Sequence, residues 1–276
     1  MPGGRPWPRF TIVTPSYGQG TFIEEAIRSV LLQGYPNLEY VVVDAGSTDS
    51  TVDVIRKYEP WLTEWCSEPD RGAAQGLNKG FKRASGEIYG CLNADDVYLP
   101  GCFEAVARVM STMHTAEVVY GDGYLAGTSY RRMTRHVSDR WSRRGLAYGT
   151  CILVQPATFI RRRAYEWTAG FNEDNRTCWD AELLSDAALA GASFHRISRA
   201  LAVSRIHPGS ITGSGRLKHE SEADLRRIFE KIMGHPPTAR DHVWRALRRV
   251  AKFASHPHRT VFYRLTFWRT LGRFRP

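Results

Sequence analysis

Phe10-Thr11-Ile12-Val13-Thr14 and Leu38-Glu39-Tyr40-Val41-Val42-Val43-Asp44 decide the fold. Both are short, nearly continuous apolar runs, the pattern of strands buried on both faces. Between them Phe22, Ile23, Ala26, Ile27, Val30 and Leu31 recur with the period of a helix over 22–33. The alternation continues outward. Helices are expected over 50–58, where Asp49 or Ser50 can cap the start, over 73–84, closed by Ser85-Gly86, and over 103–113. Strands are expected over 61–67, 87–92 and 118–120. This order of strand and helix predicts an α/β fold with a mostly parallel central sheet and helices on both faces. Ligands of such sheets sit at the carboxyl ends of the strands, so the polar residues after each strand are the candidates.

Thr14-Pro15-Ser16-Tyr17 follows the first strand, where proline stiffens a turn and a tyrosine can stack on a ring. Asp44 ends the second and can accept from ribose hydroxyls or a base N–H, or cap the turn 45–49. Asp70-Arg71-Gly72 precedes a helix whose opening turn offers N–H groups to phosphate, or is a plain capped helix. Leu92-Asn93-Ala94-Asp95-Asp96 ends the fourth strand. Adjacent carboxylates there are costly without a compensating cation or hydrogen bonds; capping the next helix is the other reading. Asp180 opens a helix and is either its cap or a general base. His207, in Arg205-Ile206-His207-Pro208-Gly209-Ser210, can ligate a metal, touch phosphate or satisfy a loop. Arg131–Arg144 has six arginines against Asp139 alone and reads as a mobile loop, able to close over a diphosphate or meet an anionic acceptor.

Taken in this order, from about Phe10 to Ser210, these residues resemble glycosyltransferase family 2, enzymes of the GT-A fold. Four motifs carry the resemblance: Thr14 to Tyr17; Val43-Asp44-Ala45-Gly46-Ser47-Thr48-Asp49-Ser50-Thr51; Asp70-Arg71-Gly72 through Asn78-Lys79-Gly80 to Ser85-Gly86-Glu87; and Leu92 to Asp96 with Pro100-Gly101. The resemblance implies an inverting, non-processive transfer of one sugar from a nucleotide-diphosphate sugar, with a UDP-sugar favoured. The acceptor would be a hydroxyl of a saccharide or lipid-linked molecule in cell-surface polysaccharide or glycolipid synthesis. By resemblance Pro15, Tyr17 and Asp44 contact the nucleoside with Asp70 beside them, and Asn78, Asn93 and Asp96 complete the donor site. Asn93-Ala94-Asp95 stands for the D-x-D motif, which makes Asp95 the main carboxylate ligand of Mg²⁺ or Mn²⁺; Asp96 contacts the metal, the sugar or an acceptor, and His207, from its own position, is the candidate second metal ligand. Asp180 falls at the catalytic base. Two departures are visible: Asn93 replaces the first carboxylate, and Gln75-Gly76-Leu77 stands where many relatives have Asp-Ala followed by Ile or Met. The reading from another class is a catalytically inactive GT-A-like scaffold or a membrane-surface binding protein.

Charge divides the chain. Residues 1–212 hold 23 basic and 23 acidic side chains, whereas 213–276 hold 15 and 5, so the tail carries the whole net +10. The expected organisation is a neutral catalytic domain, 1–212, and a basic helical extension, 213–276. A neutral body argues against nucleic acid as partner. In the tail, Val243, Leu247, Val250 and Ala254 form one stripe of a helix over 238–253. A wide apolar arc, Val261, Phe262, Leu265, Trp268 and Leu271, is interrupted by Arg264. Arginine beside aromatic residues suits an anionic membrane surface; packing on the catalytic domain or on a homodimer partner is the competing use. No apolar run approaches 18 residues, the five cysteines form no C-x-x-C pair, and the first ten residues lack a signal-like apolar region. The expected location is therefore cytoplasmic, peripheral on the inner face of the cytoplasmic membrane.

Overall fold

The computed structural model describes residues 6–130 and 133–255. The expected alternation forms as β1 (Phe10–Ser16), α1 (Ile23–Leu31), β2 (Leu38–Asp44), α2 (Thr51–Tyr58), β3 (Glu64–Ser67), α3 (Ala73–Lys82) and β4 (Ile88–Cys91). It continues with β5 (Val97–Tyr98), α4 (Cys102–Thr112), β6 (Val118–Ala126), β7 (Met133–His136) and α5 (Arg143–Ala147). Then come β8 (Thr158–Arg161), α6 (Arg162–Glu166), α7 (Trp179–Leu189), β9 (Phe194–Arg205), α8 (Ile211–Ser214), α9 (Lys218–Met233) and α10 (Ala239–Ser255). One sheet runs β3-β2-β1-β4-β8-β6-β9-β5, with β7 paired to β6. The first four are mutually parallel. The fifth expected strand, β6, does not adjoin β4, because antiparallel β8 lies between them.

The continuous apolar runs are explained by cover on both faces. Phe10 and Ile12 of β1, with Tyr40 and Val42 of β2, point toward α1, α2 and α4. Val13, Val41 and Val43 point the other way, into a second core with Leu77, Phe81 and Leu183. Pro15 remains in strand rather than opening a turn. Leu92 N donates to Val13 O, so odd positions of β1 face β4, and that ladder ends at Val13. Proline at 15 therefore forfeits no ladder hydrogen bond.

The arginine-rich stretch 131–144 is not simply the mobile loop its composition suggests. Met133–His136 pairs antiparallel with Gly123–Ala126. The cause is the buried Asp122, which accepts from Arg135 Nη2 (3.1 Å), Arg196 Nη2 (2.6 Å) and Ser138 N (3.1 Å). Trp141 then stacks on Phe194, ring centroids 3.7 Å apart. In the tail, the helix expected over 238–253 forms as α10. The arc from Val261 to Leu271 lies outside the described residues. Helix α9 packs on α5, with Phe229 against Tyr148.

Helix α3 lies close against β1 because Gly80 has no side chain. A Cβ there would stand 2.5 Å from Val13 Cγ1 and 3.0 Å from Cγ2. Gly80→Ala is expected to destabilise the fold by about 1–3 kcal/mol through overpacking, read as a lower urea midpoint at unchanged m.

Candidate active site

A cleft of about 1340 Å³ opens at the carboxyl ends of β1, β2 and β4. Of the residues singled out in the sequence, Pro15, Tyr17, Asp70, Asn93, Asp95, Asp96, Asp180 and His207 line it. Asp44 and Asn78 are not on its wall. Tyr17 stands 68% exposed at the end of β1, free to stack.

Asp44 is fully buried and acts on the loops behind the wall. Its carboxylate accepts from Ser47 N (2.8 Å), Ser47 Oγ (2.5 Å) and Ser67 Oγ (2.6 Å). Ser47 Oγ in turn accepts from Gly18 N (2.8 Å), which ties the turn after Tyr17 to the same carboxylate. Asn78 clamps the chain leading to α7: its Nδ2 donates to Phe171 O (2.8 Å), and its Oδ1 accepts from Phe171 N (2.9 Å). Gln75 belongs to the same clamp, donating to Glu173 Oε2 (2.9 Å). Asp70 accepts from Gly72 N (2.7 Å), and burial pushes its carboxyl above the ordinary range despite that bond. Gly72 adopts φ +133°, a backbone region that favours glycine.

The carboxylate pair is stabilised from distant parts of the chain. Asp96 is buried, and its carboxyl is raised well above the ordinary range, first by burial and then by the charge of Asp95. Opposing this, Arg205 N donates to Asp96 Oδ1 (2.8 Å) and Asn93 Nδ2 approaches Oδ2 (3.4 Å). A third carboxylate at position 93 would add repulsion there, whereas the amide also donates to Gln155 Oε1 (3.1 Å). The Arg205 guanidinium is held between the rings of Phe22 and Tyr130, 4.5 Å from each centroid, and pairs with Glu25.

Asp95 faces the cleft with its Oδ2 3.1 Å from His207 Nε2. The imidazole packs on Phe22 (4.6 Å between centroids), and Gly209 N donates to its Nδ1 (3.2 Å), aiming Nε2 at Asp95. Among the described residues no three His, Cys, Asp or Glu side chains are grouped to hold a metal ion. Two cleft-facing donors, one a carboxylate, still fit Mg²⁺ or Mn²⁺, which take few protein ligands and fill the shell with water and phosphate oxygens. Asp95 fits without adjustment; ligation through Nε2 would make Nδ1 a donor and give up the Gly209 contact.

Asp180 is the second residue of α7 and sits on the cleft wall. Burial raises its carboxyl, with its own and the Ala181 backbone N–H groups opposing. A raised carboxyl is a stronger base once ionised. The sequence reading missed what holds this residue in place. Two positions on, Glu182 is 1% exposed and accepts from Asn175 Nδ2 (2.7 Å), Asn172 Nδ2 (3.0 Å), Arg227 Nη2 (2.9 Å) and Lys231 Nζ (2.9 Å). Asp224 of α9 accepts from Thr177 Oγ1 (2.8 Å) and Arg227 Nη2 (2.8 Å). Burial alone would raise the Glu182 carboxyl; Arg227, Asn175 and Lys231 outweigh it and hold it at about 2. An acid in the first turn of a helix is unremarkable in sequence, and nothing there links it to Arg227.

The family model described as "Glycosyl transferase family 2" matches residues 11–169. The putative teichuronic acid biosynthesis glycosyltransferase TuaG of Bacillus subtilis is 38% identical over 93 residues, 32% of this chain and 36% of its own length. The chain spans little more than a third of the length of the curated relatives it matches. S. aureus TarS 1–349 in complex with UDP-GlcNAc superposes with TM-score 0.67 at 19% identity, over 85% of this chain and 69% of that one. The mannosyltransferase PcManGT of Pyrobaculum calidifontis, in complex with GDP-Man and Mn²⁺, superposes with TM-score 0.63 at 21% identity, over 92% and 79%. These likenesses show a GT-A fold.

Because Glu182 sits at about 2 in the fold against an ordinary 4.5, its stabilisation is complete above pH 4.5 and is lost as pH falls toward 2. The melting temperature of Glu182→Gln should fall less steeply across that window than that of the unaltered chain. Arg227→Met should cost on the order of 2–3 kcal/mol at neutral pH, by leaving a buried carboxylate short of a partner.

Proposed function

The chain belongs to glycosyl transferase family 2, and on that premise we propose that it moves one sugar from a nucleotide-diphosphate sugar to an acceptor hydroxyl with inversion. The observation that carries this reading is the convergence of Asp95, Asp180 and the nucleoside-side residues Pro15, Tyr17 and Asp70 on one cleft. Asp44 supports that side through Ser47. A uridine nucleotide is favoured by the likeness to a chain that binds UDP-GlcNAc, and PcManGT keeps a guanosine donor open.

Tyr17 stacks on the base, while Asp70 and the loop fixed by Asp44 meet the nucleoside. Arg176, exposed at the mouth beside Gly72, offers charge to the diphosphate. Asp95 and His207 would hold Mg²⁺ or Mn²⁺, which when bound neutralises charge on the departing diphosphate. Asp180 takes the proton of the acceptor hydroxyl while its oxygen lone pair forms the bond to the anomeric carbon. The bond from that carbon to the phosphate oxygen breaks on the opposite face, and its electron pair leaves with the nucleoside diphosphate. One base suffices, since no sugar–enzyme bond is formed.

The acceptor is a saccharide or lipid-linked hydroxyl of cell-surface polysaccharide or glycolipid synthesis, a reading supported by the likeness to TuaG. Its place of work is then the inner face of the cytoplasmic membrane, reached through the basic tail. Among the described residues no helix is long and apolar enough to cross a membrane.

Nucleotide sugars with Mn²⁺ should raise the melting temperature, UDP-sugars most, and Asp95→Ala should remove the part that depends on the cation. Asp180→Asn should keep the donor shift and lower kcat by about 10²–10⁴. An Asp180→Asn variant with unaltered turnover would exclude this residue as the base. The acidic limb of kcat/KM should lie above the ordinary aspartate range, because burial raises Asp180.

A further inference from the structure

Helix α10 lies on the body with its charged face inward. Asp241, Arg245, Arg248 and Lys252 follow one another at i, i+4, i+7 and i+11 and share one face. Tyr148 Oη donates to Asp241 Oδ1 (2.9 Å), and Thr238 N donates to Oδ2 (2.9 Å). The Arg248 guanidinium stands over the Tyr148 ring at 5.5 Å. Lys252 Nζ donates to Asp139 Oδ2 (2.6 Å) and Thr150 O (3.0 Å). The opposite face is apolar and open: Val243, Leu247 and Val250 are 59%, 53% and 65% exposed. With Ala246, Phe253 and Ala254 they cover an arc of roughly 120° on a helical wheel. An ordinary surface helix buries such a stripe and exposes its charges; here the two are exchanged. Exposed Arg249 and His242 flank the arc on one side, and exposed Arg240 on the other.

We infer that this outward face of α10 is a docking surface for an anionic lipid bilayer, in which the apolar arc enters the headgroup boundary and the flanking cations meet lipid phosphates. Charge selects the occupant. Asp241 is the only acid on the helix, and it is committed to Thr238 and Tyr148. A second copy laid on the same arc would bring Arg240 and Arg249 toward their own kind, within tails that each carry net +10. Residues 256–276 hold five arginines and no acid, so that segment would meet the same repulsion. An anionic surface accepts all of these charges.

The docking face is joined to the cleft. Asp139 accepts from Lys252 and also from Ile152 N (2.8 Å). The chain then runs into Leu153, Val154 and Gln155 of the cleft wall, and Gln155 accepts from Asn93. A helix lying on a bilayer would thus be linked, through Asp139 and the chain 152–155, to one wall of the cleft. The inference rests on the proposed transfer only for the use of that link.

The test uses the full chain and a Val243→Ser, Leu247→Ser, Val250→Ser variant, which removes the arc and leaves every charge in place. Vesicles of phosphatidylglycerol with phosphatidylcholine are sedimented at physiological ionic strength. The unaltered chain should co-sediment, the variant should bind about tenfold or more weakly, and phosphatidylcholine alone should retain little of either. Equal binding by both chains, with melting temperatures matched, overturns the inference. So does a dimer of the unaltered chain that the variant dissolves while vesicle binding persists, since the arc would then be a seam between copies. Donor-induced melting shifts, read on the same pair, should agree. An unaltered chain that binds vesicles through the arc and no nucleotide sugar upholds the docking face and refutes the transfer reading.

Discussion

Two adjacent carboxylates at the end of β4 are the constraint around which the cleft is assembled. Asp95 faces the cleft, and Asp96 is buried beside it, where burial and the charge of Asp95 raise the cost of ionising Asp96. The compensation arrives from more than 100 residues away. Arg205 at the end of β9 gives its backbone N–H to Asp96, and His207, two residues later, turns to Asp95. Strand β9 therefore closes the carboxylate site as well as extending the sheet. The Arg205 side chain, fixed between Phe22 and Tyr130 and paired with Glu25, anchors that strand end to α1. Asn93 belongs to the same balance: an amide where a third carboxylate would stand lessens the repulsion and leaves Asp95 facing the cleft beside His207.

A second carboxylate is handled in the opposite way, and the contrast separates chemistry from support. Among the described residues Asp180 has no charged partner, and burial raises it, which would suit the proposed general base. Glu182, one half-turn further along α7, is saturated with donors from α9 and from Asn172 and Asn175, and is held ionised. Its charge holds the loop 172–177 and α9 against the start of α7, so the helix start that carries Asp180 is fixed by a group held ionised near neutrality. Asn78 fixes the other end of the same loop through Phe171. The placement of Asp180 on the cleft wall depends on buried hydrogen bonds made to residues outside the cleft.

These supports explain what could be read from sequence. Strands β1, β2, β3, β4 and β6 and the helices between them were legible because two-faced burial imposes long apolar runs and regular spacing on the chain. The cleft residues were legible because strand ends are where such sheets bind ligands. Strand β7 was hidden by composition: its arginines read as a solvated loop, and the buried partner that orders it, Asp122, lies in another strand. Strand β8 runs straight into the arginines 161–163 and α6, with no turn residue to set off its short apolar pair Phe159-Ile160. Helix α9 reads as part of a charged extension, yet Asp224, Arg227 and Lys231 face the body because Glu182 is there to meet them. Periodicity registers apolar faces; it is silent about a face held by ion pairs.

The same blindness applies to α10 and gives its sequence a second meaning. A stripe of Val243, Leu247, Val250 and Ala254 on an amphipathic helix would ordinarily be assigned to the interior. The body offers that helix Tyr148, Asp139 and the Thr150 carbonyl, all polar, and so takes the charged face instead. Turning the helix over would bury apolar area, but it would strip Lys252 from Asp139 and leave Asp241 without Tyr148. The apolar stripe is thus presented on the outside between exposed Arg240 on one side and Arg249 and His242 on the other, a combination that water disfavours and an anionic interface accommodates.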